Sequence, residues 1–353
     1  MSKPSRTSQV LKLLLSLSLG VGIILLIYFN LTASDIETIK THIFKADYGW
    51  IAFSLFLHLV SHVSRAWRWR YTLEAVDIYP RFSNSFFSVM IGYLVNLAFP
   101  RAGEASRCAA LARYERAPFD KLFGTVIAER VADLAMLFLI VLGVSILQFD
   151  RLNEILNRDL HTDLQQADGI ASIQGDTLME SFLAKIPSLQ SLILIAVLGI
   201  VILGLGFWFL QKSSHPLGQK IKNILKGLWE GIQSIFFMKK KGLFILHTLI
   251  IWSLYILMFW VAMFSLEGTR NVVFPGVLAA FIMGTLGIVL VQGGLGAYPF
   301  LVMLALSIYG VDRNEGLAFG WINWTAQTLL VIFIGLLAFI LIPQINKESK
   351  KET

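Results

Sequence analysis

Two short stretches place charged residues within or directly after apolar runs, and the types of these residues suit the binding of a phosphate or a cationic group. The stretch NLAFPRAGEASR contributes Arg101, Gly103, Glu104 and Arg107, and the stretch AERVADLAM contributes Glu129, Arg130 and Asp133. Arginines bind phosphate through charge-assisted hydrogen bonds, whereas carboxylates balance arginines or bind a cation. These residues are the candidate site, and neither an H-E-x-x-H motif nor a G-x-S-x-G motif accompanies them.

The composition is that of an integral membrane protein. Hydrophobic residues make up 56% of the 353 residues and charged residues 15%, against roughly 45–50% and about 25% in soluble domains. The net charge of +7 comes from basic residues dispersed over alternating loops, so we expect no binding of nucleic acid. The one cysteine, Cys108, excludes an internal disulfide and a cysteine-based metal cluster.

Six apolar runs approach the roughly 20 residues that cross a bilayer. They are Leu11–Asn30, Trp50–Ser64, Lys121–Gln148, Ser188–Leu210, Gly242–Leu266 and Leu317–Ile342. Basic residues cluster at both termini, after the second run and after the fourth, and this pattern predicts that all four regions are cytoplasmic. The acidic segment 149–187 is then an extracytoplasmic loop, and 211–241 is an amphipathic segment on the inner leaflet.

The first charged stretch interrupts an apolar run that is too short to cross. Phe86–Phe99 has fourteen residues, about 21 Å of helix against a hydrocarbon core of roughly 30 Å. A crossing would also move the following arginines outside, against the charge rule. We therefore predict a re-entrant hairpin that enters from the cytoplasm and breaks at Pro100 and Gly103. Such a break is tolerated only where it is buried in protein or lines a wet cavity.

A second interruption, VLVQGGLGAYPF, lies between the apolar pieces Pro275–Val291 and Ala297–Tyr309. Three glycines free the backbone there, namely Gly293, Gly294 and Gly296. We predict a second hairpin, which enters from outside. The alternative is that these glycines only permit close helix packing.

The predicted fold is an all-α polytopic membrane protein with about six spanning helices and two opposed re-entrant helical hairpins. One integral membrane domain, 1–353, contains two halves, about 50–148 and about 242–342, and each half has the order span, broken pair, span. The halves have opposite orientation and form an inverted repeat. Paired interruptions in inverted halves indicate a transporter-type site near the membrane midplane.

Glu129 and Asp133 are four residues apart in the third span and share one helix face. Ionisable residues inside a membrane are costly, and they mark a pathway or a relay. In a second interpretation they form a structural network that neutralises Arg101, Arg107 or Arg130 and joins the hairpin to the span. The two interpretations are compatible, and both stay open.

Two other polar groups indicate structure rather than a site. His58 and His62 share a helix face, but no carboxylate or thiol has ligand spacing beside them, which favours a packed pair over a metal site. The segment Trp67–Arg70, at the inner end of the second span, predicts a belt of interfacial aromatic rings and snorkelling arginines.

FPRAGEASR, AERVADL and GGLGA resemble the signature elements of the flippase-like transmembrane region of lysylphosphatidylglycerol synthases, which also occurs alone in many small bacterial and archaeal proteins. The resemblance covers nearly the whole chain and implies that the candidate residues and the three glycines form the site. Pro299 stands where the family has a glutamate. The soluble aminoacyl-transferring domain does not follow the last span, so we do not expect the synthase reaction.

The resemblance implies a translocator that moves a phospholipid or a related charged-headgroup lipid between leaflets, passively or with an ion. We expect no catalysis, no cofactor and no bound metal. The expected location is the plasma membrane of a bacterium or archaeon, with both termini in the cytoplasm. The expected partners are lipids with charged headgroups, and a separate lipid-synthesising enzyme is a candidate. The alternatives are an intramembrane lipid-modifying enzyme, with Glu129 or Asp133 as general base, and a non-transporting scaffold.

Thiol labelling tests the predicted topology. We expect an impermeant maleimide to label Cys108 in inside-out vesicles and not in intact cells, because the returning arm of the hairpin faces the cytoplasm. Burial would block both reactions, so a matched variant carries its cysteine at Lys121 instead. Labelling from outside would contradict the re-entrant hairpin and the inverted halves.

Overall fold

The computed structural model describes residues 18, 20–99, 102–147 and 238–348, and every regular element in these ranges is helical. The helices are α1 (Gly20–Phe29), α2 (Ala33–Lys45), α3 (Tyr48–Glu74), α4 (Phe82–Ala98), α5 (Gly103–Glu115), α6 (Phe119–Leu147), α7 (Lys241–Met263), α8 (Glu267–Arg270), α9 (Phe274–Leu290), α10 (Ala297–Ser307) and α11 (Arg313–Glu348). A 3₁₀ turn, Gln292–Gly294, joins α9 to α10. The helical class is confirmed for the described part of the chain.

Several predicted features lie outside the described residues. They are the first part of Leu11–Asn30, Pro100 and Arg101, the loop 149–187, the span Ser188–Leu210 and all but the end of the segment 211–241. The chain divides into two compact units, residues 1–137 with 231–353, and residues 138–230. Of the second unit only the last turns of α6 are described. All contacts discussed below lie within the first unit.

Two described helices, α7 and α11, are long and apolar enough to cross a membrane. The bent pair α1 and α2, which turns by 115° at its break, would make a third if it counts as one span. Helix α3 has 27 residues and α6 has 29, and both contain buried charges. The full set of six spans stays a prediction.

Helices α3 and α7 lie side by side and antiparallel. Near one end Ser54 Oγ donates a hydrogen bond of 2.7 Å to the carbonyl of Met258. At the other end Lys240 Nζ lies 2.8 Å from the carboxylate of Glu74. The polar contacts at both ends fix the register of the two helices, which matters because lipid supplies no hydrophobic driving force between helices.

Helices α4 and α5 form the first helical hairpin, and the chain breaks between them as predicted. The side chain of Asn96 accepts a hydrogen bond of 2.7 Å from the backbone N–H of Gly103, the first residue of α5. Gly92 and Gly103 bring the two helices into backbone contact, because a Cβ on Gly103 would overlap Gly92 O and the Asn96 side chain. Small residues at such a crossing let membrane helices approach closely.

Helices α9 and α10 form the second hairpin. The three glycines of its break have φ angles of 63°, 75° and 72°, which lie in the left-handed region that side chains disfavour. Close packing between the arms comes mainly from Gly284 and Gly287, whose added Cβ atoms would meet Tyr298 at 2.7 Å and 2.9 Å. Pro299 lies in the first turn of α10, where its missing N–H is tolerated.

The two parts of the chain have the same order of helices. In the first, α3 to α6 have 27, 17, 13 and 29 residues. In the second, α7, α9, α10 and α11 have 23, 17, 11 and 36 residues. Each 17-residue helix is about 25 Å long, shorter than the hydrocarbon core of roughly 30 Å. The repeated order agrees with the predicted halves, while the re-entrant paths and the inverted orientation stay predictions.

Cys108 is fully buried, packed with Trp69, Leu73 and Leu111. Burial therefore blocks the native thiol on both sides of the membrane. The exposed Lys121 is the informative position for the labelling experiment.

The glycine crossing of the first hairpin yields a prediction on stability. We expect Gly103→Ala to lower the melting temperature and the folded yield in detergent, because overpacking of this kind costs about 1–3 kcal/mol. Gly124→Ala on α6 is the matched control, since a Cβ there meets nothing within 4 Å. Equal melting temperatures of the two variants would contradict the close crossing.

Candidate functional site

Helix α3 presents a continuous row of buried polar side chains to the neighbouring helices. They are Ser54, His58, Ser61, Arg65, Arg68 and Thr72. The intervals alternate between four and three residues, which places all six on one helix face. Two of these residues, Arg65 and Arg68, belong to the charged cluster of the site, and the sequence analysis did not include them. Their spacing was the signal that could have found them.

Asp133 of α6 binds both arginines of this row. Its Oδ2 lies 2.9 Å from Arg65 Nη1, and its Oδ1 lies 2.7 Å from Arg68 Nη1. Arg65 also donates a hydrogen bond of 2.9 Å to the hydroxyl of Tyr255 on α7. Since a buried carboxylate is costly unless it is paired and hydrogen-bonded, these contacts fix α6 against α3.

Glu129, one helical turn earlier on α6, lies between two other arginine groups. Its Oε2 is 2.8 Å from Arg107 Nη2 on α5, and its Oε1 is 3.7 Å from Arg68 Nε. Both are ion-pair distances without hydrogen-bond angles. The carboxylate is 1% exposed, so its charge is neutralised inside the protein and not by solvent.

The guanidinium of Arg107 also stacks on an aromatic ring. Its Cζ lies 3.6 Å from the ring centroid of Trp69, a favourable cation–π arrangement. Trp69 is itself oriented by a hydrogen bond of 3.0 Å from its indole N–H to Thr125 Oγ1. Arg107 is thus positioned by a carboxylate and by a ring, and its Nε has no hydrogen-bond partner among the described residues.

Arg130 and Glu104 form the exposed edge of the cluster. Arg130 Nη2 lies 2.9 Å from Glu104 Oε1, and the two side chains are 40% and 23% exposed. Arg130 also lies 3.5 Å from Asp133. Partly exposed ion pairs contribute only about 0–1 kcal/mol, so this pair opens more readily than the buried pairs behind it.

A small open cleft with a volume of about 10 Å³ lies at this edge. It is lined by Val89, Gly92, Tyr93, Asn96, Gly103, Glu104, Arg107 and Arg130. Helix α5 begins at Gly103, so the positive end of its dipole faces the same space. The cleft therefore combines two guanidinium groups and a helix N-terminus with one carboxylate, a set that attracts an anion.

The described cluster has an excess of positive charge. It consists of Arg65, Arg68, Arg107 and Arg130 against Glu104, Glu129 and Asp133. Four cations and three anions leave a formal charge of +1. Asp133 is shared by Arg65 and Arg68, so the unmatched charge lies at the buried end of the cluster, whereas Arg107 and Arg130 at the cleft are paired with Glu129 and Glu104.

The structure gathers Gly103, Glu104, Arg107, Glu129, Arg130 and Asp133 at one place, while Arg101 lies outside the described residues. The second break meets the first where the side-chain amide of Gln292 donates a hydrogen bond to the carbonyl of Asn96. Gly293, Gly294 and Gly296 therefore lie beside the first hairpin rather than within the charged cluster.

The predicted belt at Trp67–Arg70 is only half correct. Arg70 lies 4.7 Å from the ring centroid of Trp67, which is 39% exposed. Arg68 and Trp69 point the other way and are fully buried. The reason is electrostatic, since Asp133 and Glu129 hold Arg68 inside the protein, where the charge rule alone would place it at the interface.

His58 and His62 pack against each other with ring centroids 4.4 Å apart, and Tyr93 covers His62 at 4.7 Å. Three of their four ring nitrogens have no hydrogen-bond partner in the described part of the chain. No group of three or more His, Cys, Asp or Glu side chains there could bind a metal ion.

Comparison with known proteins identifies the first half of the chain. Residues 9–160 match the model of the lysylphosphatidylglycerol synthase TM region. The family region includes α3, the first hairpin and all seven charged residues of the cluster, and it ends before the second break. The resemblance seen in the sequence is thereby confirmed.

Two archaeal relatives bear the name UPF0104 membrane protein. One, from Methanothermobacter thermautotrophicus, is 27% identical over 285 residues, which cover 78% of this chain and 80% of the relative. The other, from Methanocaldococcus jannaschii, is 34% identical over 101 residues, which cover 28% of this chain and 30% of the relative. No solved structure matches the chain significantly.

Matched carboxylate-to-amide changes test the division of the cluster into a buried part and an exposed edge. We expect Asp133→Asn to lower the melting temperature strongly, because it removes the carboxylate partner of buried Arg65 and leaves Arg68 only the more distant Glu129, and breaking a buried pair costs about 3–5 kcal/mol. Glu104→Gln should cost about 0–1 kcal/mol. Thermal unfolding in detergent gives the comparison, and an Asp133→Asn protein as stable as Glu104→Gln would refute the structural role of the buried pairs.

Proposed function

We propose that the protein moves a phospholipid, or a related lipid with a charged headgroup, between the leaflets of the plasma membrane. One observation carries the proposal. A buried charge cluster with a formal charge of +1 reaches a small open cleft through the ion pair of Arg130 and Glu104, whose side chains are 40% and 23% exposed. An ionised headgroup needs a polar path through hydrocarbon, and this arrangement supplies charge at the start of one.

In the proposed mechanism the carboxylate of Glu104 binds Arg130 at the position that a lipid phosphate takes when the cleft is filled. When the cleft is empty, this carboxylate neutralises Arg130 at 2.9 Å. A lipid phosphate entering the cleft replaces that carboxylate on Arg130 and lies beside Arg107, which also lines the cleft. The displaced Glu104 is then available to an amino group on a zwitterionic or aminoacylated headgroup.

The buried pairs act as a fixed support for this exchange. Asp133 keeps Arg65 and Arg68 in place, and Glu129, which does not line the cleft, orients Arg107. Breaking such pairs costs several kcal/mol, so they stay formed while the exposed pair exchanges. The protein thus presents arginine to the headgroup without reorganising its interior.

The same geometry supports translocation over general-base catalysis. Glu129 lies between Arg68 and Arg107. Asp133 accepts hydrogen bonds from Arg65 and Arg68. A general base must reach the proton that it removes, and neither carboxylate lines the cleft. A scaffold would have no need for an exchangeable charge pair next to a buried cluster.

In the proposed function the two interrupted hairpins form the path of the lipid headgroup. We place them as re-entrant and opposed, with the cleft near the midplane and both termini in the cytoplasm, the arrangement typical of inverted-repeat carriers. The sequence contains no G-x-x-x-x-G-K-[ST] motif, so the movement is passive or coupled to an ion.

Lipid exchange in liposomes tests the proposed function. We expect purified protein to accelerate the movement of a labelled phosphatidylglycerol between leaflets without ATP, with and without a proton gradient. Arg130→Gln should fold normally and lower this rate at least tenfold, because the headgroup loses its exposed cation. Arg113→Gln, at an exposed position on α5 that does not line the cleft, is the matched control and should keep the rate.

The outcomes separate the candidate functions. Equal rates in the Arg130→Gln and control proteins would remove the cleft from the mechanism. If no lipid of an anionic, zwitterionic and aminoacylated panel moves while one is chemically altered, the enzyme replaces the translocator. If no lipid of the panel is moved or chemically altered, the scaffold function replaces the translocator.

A further inference from the structure

The two interrupted hairpins contact each other at their tips. The side-chain amide of Gln292, in the turn of the second break, donates a hydrogen bond to the main-chain carbonyl of Asn96, in the last turn of α4. The neighbouring residues also meet, since a Cβ built on Gly293 would lie 3.8 Å from the side chain of Leu97. The tips of the first and second halves therefore close against each other.

Each tip is fixed separately by its own half of the chain. In the first, the Asn96 side chain accepts the 2.7 Å hydrogen bond from Gly103 N–H. In the second, the indole N–H of Trp324 on α11 donates a hydrogen bond of 2.7 Å to the carbonyl of Gly293. The contact between the tips thus joins two loops that are already formed, and separating them requires no unfolding of either.

The tip contact also adjoins the proposed headgroup site. Asn96 lines the cleft together with Arg107 and Arg130, and its carbonyl is the acceptor of the Gln292 bond. Among the described residues, Gln292 makes the one side-chain hydrogen bond between the two breaks. A neutral hydrogen bond contributes little net stability, so this contact is suited to open and close repeatedly.

We infer that Gln292 and Asn96 form the closed position of a gate between the two halves, and that the tips must separate for a headgroup to pass the cleft. The inference deepens the proposed function and rests on it. Gln292 acts as a positioning residue, because it binds the backbone beside the cleft rather than the lipid. The left-handed glycines that follow it give the second tip the backbone freedom to move.

A reversible cross-link tests the gate. In a Cys108→Ala background, Leu97→Cys and Gln292→Cys are joined with a short bis-methanethiosulfonate reagent, since Cα atoms of α4 and the turn come within 8 Å. We expect the cross-linked protein to lose at least nine-tenths of its lipid exchange and to regain it when dithiothreitol releases the link. Each single-cysteine protein should have the same rate before and after treatment with the reagent, because it cannot form the link.

The results distinguish the gate from the function on which it rests. Undiminished exchange by the cross-linked protein would overturn the gate and leave the translocator intact. If the unlinked protein also fails to move lipid, the proposed function fails, and hydrogen–deuterium exchange then decides on the gate. Gln292→Leu should speed amide exchange in the segments 95–99 and 291–297 at least fivefold and leave α3 unchanged. Unaltered exchange in both segments would exclude a closing role for Gln292.

Discussion

The pairing of buried charge is the constraint on which the first half of the molecule depends. A carboxylate on α6 cannot remain ionised inside the protein unless cations from other helices reach it, and Asp133 and Glu129 draw arginines from α3 and α5. Because lipid offers no hydrophobic force between helices, such contacts and the glycine crossing at Gly92 decide how these helices pack. The position of the cleft follows from them.

One end of the cluster is buried and rigid, and the other end is exposed and holds an ion pair that can be replaced. Arg68 is fully buried and shared by both α6 carboxylates, whereas Arg130 is 40% exposed and meets Glu104 at the cleft. The attraction between two unit charges weakens as water enters, so the same chemistry gives a permanent joint at one end and a replaceable pair at the other. The proposed headgroup site needs both properties, because a phosphate can bind Arg130 only if the carboxylate of Glu104 can leave it.

The sequence predicted the breaks better than the charge partners. The shortness of Phe86–Phe99 and the glycines after Val291 placed both hairpins, because helix length and backbone conformation are local properties. Arg65 and Arg68 were instead assigned to the cytoplasmic side, since a rule that counts basic residues treats them as solvated. Their partner Asp133 follows Arg65 by 68 residues and Arg68 by 65 residues, so only the tertiary fold reveals the pairing. Hydropathy likewise ended the second span at Ser64, although α3 continues to Glu74 behind this buried polar face.

The two halves repeat one order of helices but divide the chemistry between them. All seven charges of the cluster come from α3, α5 and α6, within the region that matches the family. At the second break Pro299 stands where the resemblance predicts a glutamate, and that tip reaches the first through a neutral amide and backbone groups. A tip without charge can leave the cleft wall without exposing an unpaired ion to hydrocarbon. The asymmetry therefore fits a division in which the first hairpin binds and the second moves.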